Sequence, residues 1–418
     1  MEHVGSDDVE EIGIAGAGSI RRRHVLYVSG YDPRGAQGYF DMFRRTCERT
    51  QRLWPVSLTL QPPEIDSEDF AHWHVDARGP NWQAATHYDF LRMEAPIRAD
   101  MARSTVFQLT HALAWFLDDV VSGALFRIFR ASWRFGLHLL CFHLLLLAWI
   151  AVAAAVAIVG GRMLADHLGW PILASALSLF AAGLVLVALR PLADRWRLIQ
   201  IDNSWTTQRR FARFRPTWLD AAVDAGAQRI VAVAAANEVD ELAVVGHSSG
   251  CVVALAIMAR ALELDPDLAR RGPRLVLLTL GSVMPAVALH PAAQRMRDIV
   301  GRLAVARGLA WVDCQSRKDV MCFANFDPVA GIGIDAGGKR CNPLLWRISF
   351  RDVIAPENYN RFRSNLFRVH YQYIRGGDRR APYDYTLLVA GPFAIPEWPE
   401  RAADLIVAFA ADTSVKTG

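Results

Sequence analysis

The sequence predicts an α/β protein, a mostly parallel sheet with helices on both faces, interrupted by two apolar helices long enough to cross a membrane. Three observations lead there. Short apolar runs at 24–28, 242–245, 275–281 and 309–313 alternate with helical stretches, the pattern of strands buried on both faces. No Asp, Glu, Lys or Arg lies between Phe135 and Gly161, or between Leu168 and Leu189. The stretch Gly246-His247-Ser248-Ser249-Gly250 stands between one of the apolar strands and an apolar helix.

Composition narrows the class. A chain of 418 residues suffices for one large domain with additions. Its 52% apolar content is high for a soluble enzyme. A net charge of +4 is too small to indicate a nucleic-acid partner. Six cysteines are scattered without a C-x-x-C pair, so they read as small buried hydrophobes in a reducing compartment. Residues 1–21 read as a flexible segment with five acids and no lysine or arginine before Arg21. That segment lacks the basic start and apolar core of a signal peptide. Residues 411–418 read as a flexible tail.

Taken in order, 24–28 is a strand that runs into Ser29-Gly30-Tyr31-Asp32-Pro33-Arg34-Gly35. Strands are also expected at 56–60 and 70–75. The stretch 83–134 reads as helical and grows more apolar and basic along its length. Residues 22–134 thus form the first part of the α/β domain, 135–190 a transmembrane hairpin, and 191–410 the second part. Each apolar run can cross a hydrocarbon core of roughly 30 Å at about 1.5 Å per residue, and the short link 161–167 makes the hairpin tight and antiparallel. Eight arginines flank it (Arg127, Arg130, Arg134, Arg190, Arg195, Arg197, Arg209, Arg210), against Arg162 alone in the link. That asymmetry places both termini and the α/β domain in the cytoplasm, at the inner membrane if the source is bacterial. Trp133 and Trp196 fall near one interface and Trp170 near the other. His138 and His143 read as helix-packing groups rather than a proton relay. Beyond the hairpin a helix is expected over 218–237, then the strand before Gly246, the strand 275–281, a helix over 292–307 and the strand 309–313.

The chemistry gathers on Ser248. A strand that turns sharply into a helix leaves the central serine of G-x-S-x-G at the apex, and a Cβ on either flanking glycine would collide with its neighbours. The helix N-terminus then directs free N–H groups at the reaction centre. A serine alcohol needs a base, and the base an orienting acid. In enzymes built on this turn, acid and then histidine follow the serine. Only His290 and His370 follow Ser248; His290 precedes the acids that end the next strand, so His370 is the expected base. Asp319 is favoured as the acid over Asp327, whose Asp-Pro pair is explained by a turn. The backbone N–H groups of Ser249 and Tyr31 are the expected oxyanion donors. Arg34 reads as a surface arginine, with an anionic substrate group as the alternative.

With Ser29-Gly30-Tyr31, the Gly246 to Gly250 elbow, the strand 275–281 and the ordered Asp319 and His370, the chain resembles the serine esterase and lipase branch of the α/β-hydrolase superfamily, over roughly 22–100 and 216–400. It departs in carrying Ser29-Gly30 where many lipases have His-Gly, and in the hairpin. The resemblance implies ester or thioester hydrolysis through an acyl-enzyme. The hairpin suggests an apolar or lipid-like acyl substrate and contact with membrane lipids. A non-catalytic membrane scaffold and a thioesterase acting on cytosolic acyl metabolites are the alternatives. No cofactor or metal is expected: Gly16-Ala17-Gly18 and Gly331-Ile332-Gly333 lack the strand-and-helix setting of a dinucleotide loop, and His72 and His74, on one strand face, have no evident third ligand.

Overall fold

The computed structural model describes residues 20–80, 82–400 and 402. The Gly16 and Gly18 pair, the expected flexible segment through residue 19 and the 411–418 tail lie outside the described residues.

Nine strands form one sheet: β1 (Arg22–Val28), β2 (Ser57–Leu60), β3 (Glu64–Ile65), β4 (Phe70–Arg78), β5 (Gln83–Leu91), β6 (Glu241–His247), β7 (Arg274–Leu280), β8 (Leu309–Gln315) and β9 (Leu344–Arg347). Their order is β2-β4-β5-β1-β6-β7-β8-β9, with β3 on β4. From β5 to β9 every pairing is parallel, whereas β4 runs antiparallel to β5, β2 and β3. Helices follow as α1 (Gly35–Leu53), α2 (Glu94–Met101), α3 (Thr105–Val121), α4 (Ala124–Ala131), α5 (Trp133–Leu168), α6 (Pro171–Ala188), α7 (Arg190–Arg195) and α8 (Leu198–Ala212). Then come α9 (Trp218–Ala236), α10 (Gly250–Leu264), α11 (Met284–Ala288), α12 (Gln294–Ala304), α13 (Phe350–Val353), α14 (Pro356–Arg363), α15 (Leu366–His370) and α16 (Tyr385–Ala390).

Alternation along the strands sends Leu26, Val28, Val244, Leu277 and Trp311 into a core shared with α9, α10 and α12. Val25, Tyr27, Val245, Leu278 and Val312 enter a second core with α1 and α16. At the N-terminal ends of β1 and β6, Arg23 and Glu241 pair at 2.7 Å with both side chains fully buried. Arg23 also donates to the carbonyls of Gly391 and Phe393, and Glu241 accepts from the Ile395 N–H. This network ties the C-terminal segment to the sheet.

Two expectations are corrected, the first in the sheet and the second in the hairpin. Residues 83–91, read as the start of a helical region, are β5. The turn before it is closed by the Gly79 N–H donating to the Trp82 carbonyl at 3.0 Å. Ala84, Thr86, Tyr88 and Phe90 then point inward at every second position. The helical part of that region begins only at Glu94. The helices α1 and α8 were not anticipated.

The hairpin is long. α5 has 36 residues, about 54 Å at 1.5 Å per residue; it continues through the stretch expected to be a loop and ends at Gly169, whose φ of 66° stops the helix in the left-handed region. Ala174, Ser178 and Ala182 are buried along one face of α6, and a Cβ on Gly161 of α5 would come within 2.9 Å of the Ser178 hydroxyl. Small residues thus let the two helices approach closely. Outward, Val152, Ile158, Met163, Ile172, Leu179, Phe180 and Val187 are exposed. The spans Trp133–His167 and Pro171–Arg195 are long and apolar enough to cross a membrane, and only 28% and 17% of their most apolar windows are buried. A soluble core helix would be covered; these are not. The first half of α5 belongs to the domain, with Phe142, Leu146 and Trp149 packed against Leu109, Ala193 and Ile199.

Candidate active site

The elbow follows from β-register. β1 and β6 pair with Val28 opposite Gly246, which brings the loop after β1 beside the turn after His247. Ser248 sits at φ 59°, a left-handed conformation that costs a non-glycine residue energy and persists only where its surroundings enforce it. Its N–H is held by the Leu280 carbonyl at 3.0 Å. A Cβ on Gly250 would lie 2.3 Å from the Val28 carbonyl oxygen and 2.4 Å from that of Ser29, and one on Gly246 would lie 2.8 Å from the Cα of Cys251. Close approach therefore requires glycine at both positions.

His370 ends α15, and its Nδ1 lies 2.7 Å from Asp319 Oδ2. The other carboxylate oxygen of Asp319 accepts from the Met321 N–H at 2.9 Å. Both side chains are buried. A carboxylate only accepts, so His370 Nδ1 carries the proton and Nε2 presents its lone pair. That Nε2 is buried and has no partner among the described residues. Asp327 is elsewhere occupied: it accepts from the N–H groups of Val329 and Ala330 and pairs with Arg340 at 2.7 and 2.9 Å. His290 stands apart from Ser248, its Nε2 3.1 Å from Asp118 and its Nδ1 accepting from the Ala292 N–H.

The two expected oxyanion donors differ in state. The Ser249 N–H meets no acceptor among the described residues. The Tyr31 N–H donates to Ser249 Oγ at 2.8 Å, while the Tyr31 carbonyl accepts from Gln200 at 2.6 Å.

Two supporting residues carried no sequence signal beyond their place in a motif. His247 Nε2 donates to the His370 carbonyl at 3.0 Å and its ring lies 5.0 Å from that of His370. Burial, reinforced by His370, pushes His247 down to about 3, so it stays neutral. Asp32 accepts from Tyr371 at 2.6 Å and Tyr39 at 3.2 Å and pairs with Arg34, fastening the loop after β1 to the residue beside His370. Burial works to raise the Asp32 carboxyl, but Arg34 and Tyr371 outweigh it and hold it below its ordinary value.

Ser248, Ser249, Tyr31 and His370 share one cavity of about 800 Å³, its open mouth included. One wall is the start of α5, with Phe135, His138, Leu139 and Phe142; another is α8, with Gln200, Ser204 and Gln208. Phe135 also packs on Phe323 with ring centres 4.8 Å apart, and Arg134 donates to the Arg317 carbonyl, so α5 is attached to the loop that bears Asp319.

The histidines His72 and His74 meet His87, which lies 4.9 and 4.6 Å away by ring centre, and His87 stacks on His24. His24, His87 and Asp89 bring ligand atoms within 4.8 Å of one another. Asp89, however, already accepts from His24, His87 and Arg229, and the guanidinium supplies the positive charge that an ion would bring. Comparison with known families, curated proteins and solved structures finds no match.

Proposed function

We propose that the protein is a membrane-anchored serine hydrolase of the α/β-hydrolase type, cleaving carboxylic esters of acyl chains. One observation carries the reading: His370, with Asp319 on Nδ1 and with its Nε2 free of a partner among the described residues, lines the same cavity as Ser248 on a left-handed elbow. In the first half-reaction, Ser248 Oγ attacks the ester carbonyl as His370 Nε2 takes its proton. The tetrahedral intermediate collapses, the C–O bond breaks, and His370 returns the proton to the departing alcohol. Water, deprotonated by the same Nε2, then releases the acid and restores Ser248. Asp319 holds the imidazole and stabilises its charged form. The Ser249 N–H receives the oxyanion, joined by the Tyr31 N–H once the Ser249 hydroxyl rotates away.

The arginines around the hairpin orient the catalytic domain towards the cytoplasm. Because the first turns of the apolar span in α5 line the cavity, an acyl chain can pass from bilayer to Ser248 with little exposure to water, worth about 0.8 kcal/mol per CH₂. Esters of medium or long chains are therefore the proposed substrates. A catalytically silent membrane scaffold is the second reading, favoured by the Tyr31 N–H being occupied. A fluorophosphonate probe separates the two on purified protein in nanodiscs. Labelling that disappears in Ser248→Ala is expected; folded protein that stays unlabelled overturns the hydrolase reading in favour of the scaffold.

A further inference from the structure

The cavity lining combines a guanidinium with hydrocarbon. Arg197 lines it, immediately before α8, at φ 58°. Its guanidinium lies 4.5 Å from the centre of the Phe367 ring, also in the lining. Among the described residues no carboxylate pairs with Arg197. Next to it, the Tyr371 ring is flanked by Arg34 at 4.8 Å and Arg375 at 5.4 Å. Arg34 is neutralised by Asp32; Arg375 has no such partner among the described residues, and burial together with Arg34 depresses its guanidinium below the ordinary value. Positive charge thus exceeds negative around the Tyr371 and Phe367 rings. The second candidate span, Pro171–Arg195, ends two residues before Arg197, among the arginines that flank the hairpin on the side where anionic lipid headgroups attract basic residues. Phe135, Leu139 and Phe142 add apolar lining to the same cavity.

We propose that Arg197, reinforced by Arg375 behind Tyr371, is an anion subsite, and that the substrate is an acyl lipid bearing a phosphate group. Guanidinium is well suited to this role, since its planar fork of donors matches phosphate oxygens. The ester part of the proposal rests on the hydrolase reading; the anion subsite does not.

The test is protection of Ser248 from a fluorophosphonate in nanodiscs of neutral lipid, each variant normalised to its own unprotected rate. Dodecyl phosphate is expected to protect wild type at a concentration about 10–100-fold below that of dodecanol, the scale of a hydrogen bond to a charged group. Arg197→Gln should erase that gap and Arg197→Lys should keep part of it. Equal protection by both compounds in wild type, or a gap that survives Arg197→Gln, overturns the subsite. Inorganic phosphate protecting as well as dodecyl phosphate, or a dodecyl thioether of coenzyme A protecting better, overturns the lipid assignment. Thermal stabilisation by dodecyl phosphate is measured in parallel and needs no chemistry at Ser248. Stabilisation that depends on Arg197 without any labelling would sink the hydrolase reading and leave the anion subsite standing.

Discussion

At the scale of single residues, the pairing of His370 with Asp319 sets a ranking. His370→Ala is expected to lose about 10²–10⁴-fold in turnover of an acyl ester, and Asp319→Asn to be crippled as well because the imidazole loses the partner that fixes its tautomer. Asp327→Asn should keep its turnover and lose some stability, since it removes the charge that pairs with Arg340 while its amide oxygen can still accept the two backbone N–H groups. Steady-state kinetics on the three variants check this; a ranking with Asp327 above Asp319 would reject the assigned acid. Gly250→Ala forces a Cβ into two backbone carbonyls and should lower Tm by more than about 5 °C, equivalent to a few kcal/mol in a domain of this size. A further group titrates through folding. Asp202, buried in α8 with no hydrogen-bond donor among the described residues, is raised by burial to about 8. Its ordinary value is near 4. Between those values the folded state holds a proton that the unfolded state has lost, so stability falls as pH rises across that window. Asp202→Asn should flatten the decline, read as a Tm at pH 8 closer to that at pH 5 than in wild type; identical slopes would show that the carboxyl is not responsible.

Individual elements explain which expectations held. Strands 24–28, 242–245, 275–281 and 309–313 were legible because full burial makes their apolar runs continuous, and β1, β6, β7 and β8 fall there. β5 was not, because its buried Asp89 is satisfied by His24 on β1 and Arg229 on α9 as well as by His87 on its own strand, and no local pattern reveals the first two. The elbow was legible as a local motif, whereas the Asp319–His370 contact joins residues 51 positions apart. Two predictions belong to this scale. The α5 wall should select chain length: catalytic efficiency over a series of acyl esters is expected to peak at medium or long chains, and Phe142→Ala, which enlarges that wall, should move the peak to longer ones. A peak at acetate would reject the lipid-substrate reading while leaving the hydrolase intact. The buried Arg23–Glu241 tie should matter more when broken than when removed. Arg23→Met leaves Glu241 buried without its cation and is expected to cost about 3–5 kcal/mol in denaturant unfolding, while Arg23→Met with Glu241→Leu should recover part of it; equal losses would refute the interpretation.

At the scale of the whole molecule, the hairpin and the sheet form one unit, because the first half of α5 is a wall of the cavity and the second half is exposed apolar surface. The arginine asymmetry then makes a topological prediction. A cysteine at Trp170 should react with an impermeant maleimide from the non-cytoplasmic side of oriented vesicles, and a cysteine at the exposed Leu366 only after permeabilisation. The opposite pattern would invert the assigned orientation.

What the sequence by itself determined is whatever has a short-range cause: the parallel strands, the two apolar spans and the glycine-bounded turn at Ser248. Period, length and steric demand act within a few residues, so each leaves a local mark. Only the tertiary structure decided that Asp319 rather than Asp327 meets His370, that the Ser249 hydroxyl holds the Tyr31 N–H, that His247 supports the His370 backbone, and that Arg197 faces the cavity. These contacts depend on which loops the sheet order brings to the C-terminal ends of β1, β6, β7 and β8, and that juxtaposition comes from packing across hundreds of residues.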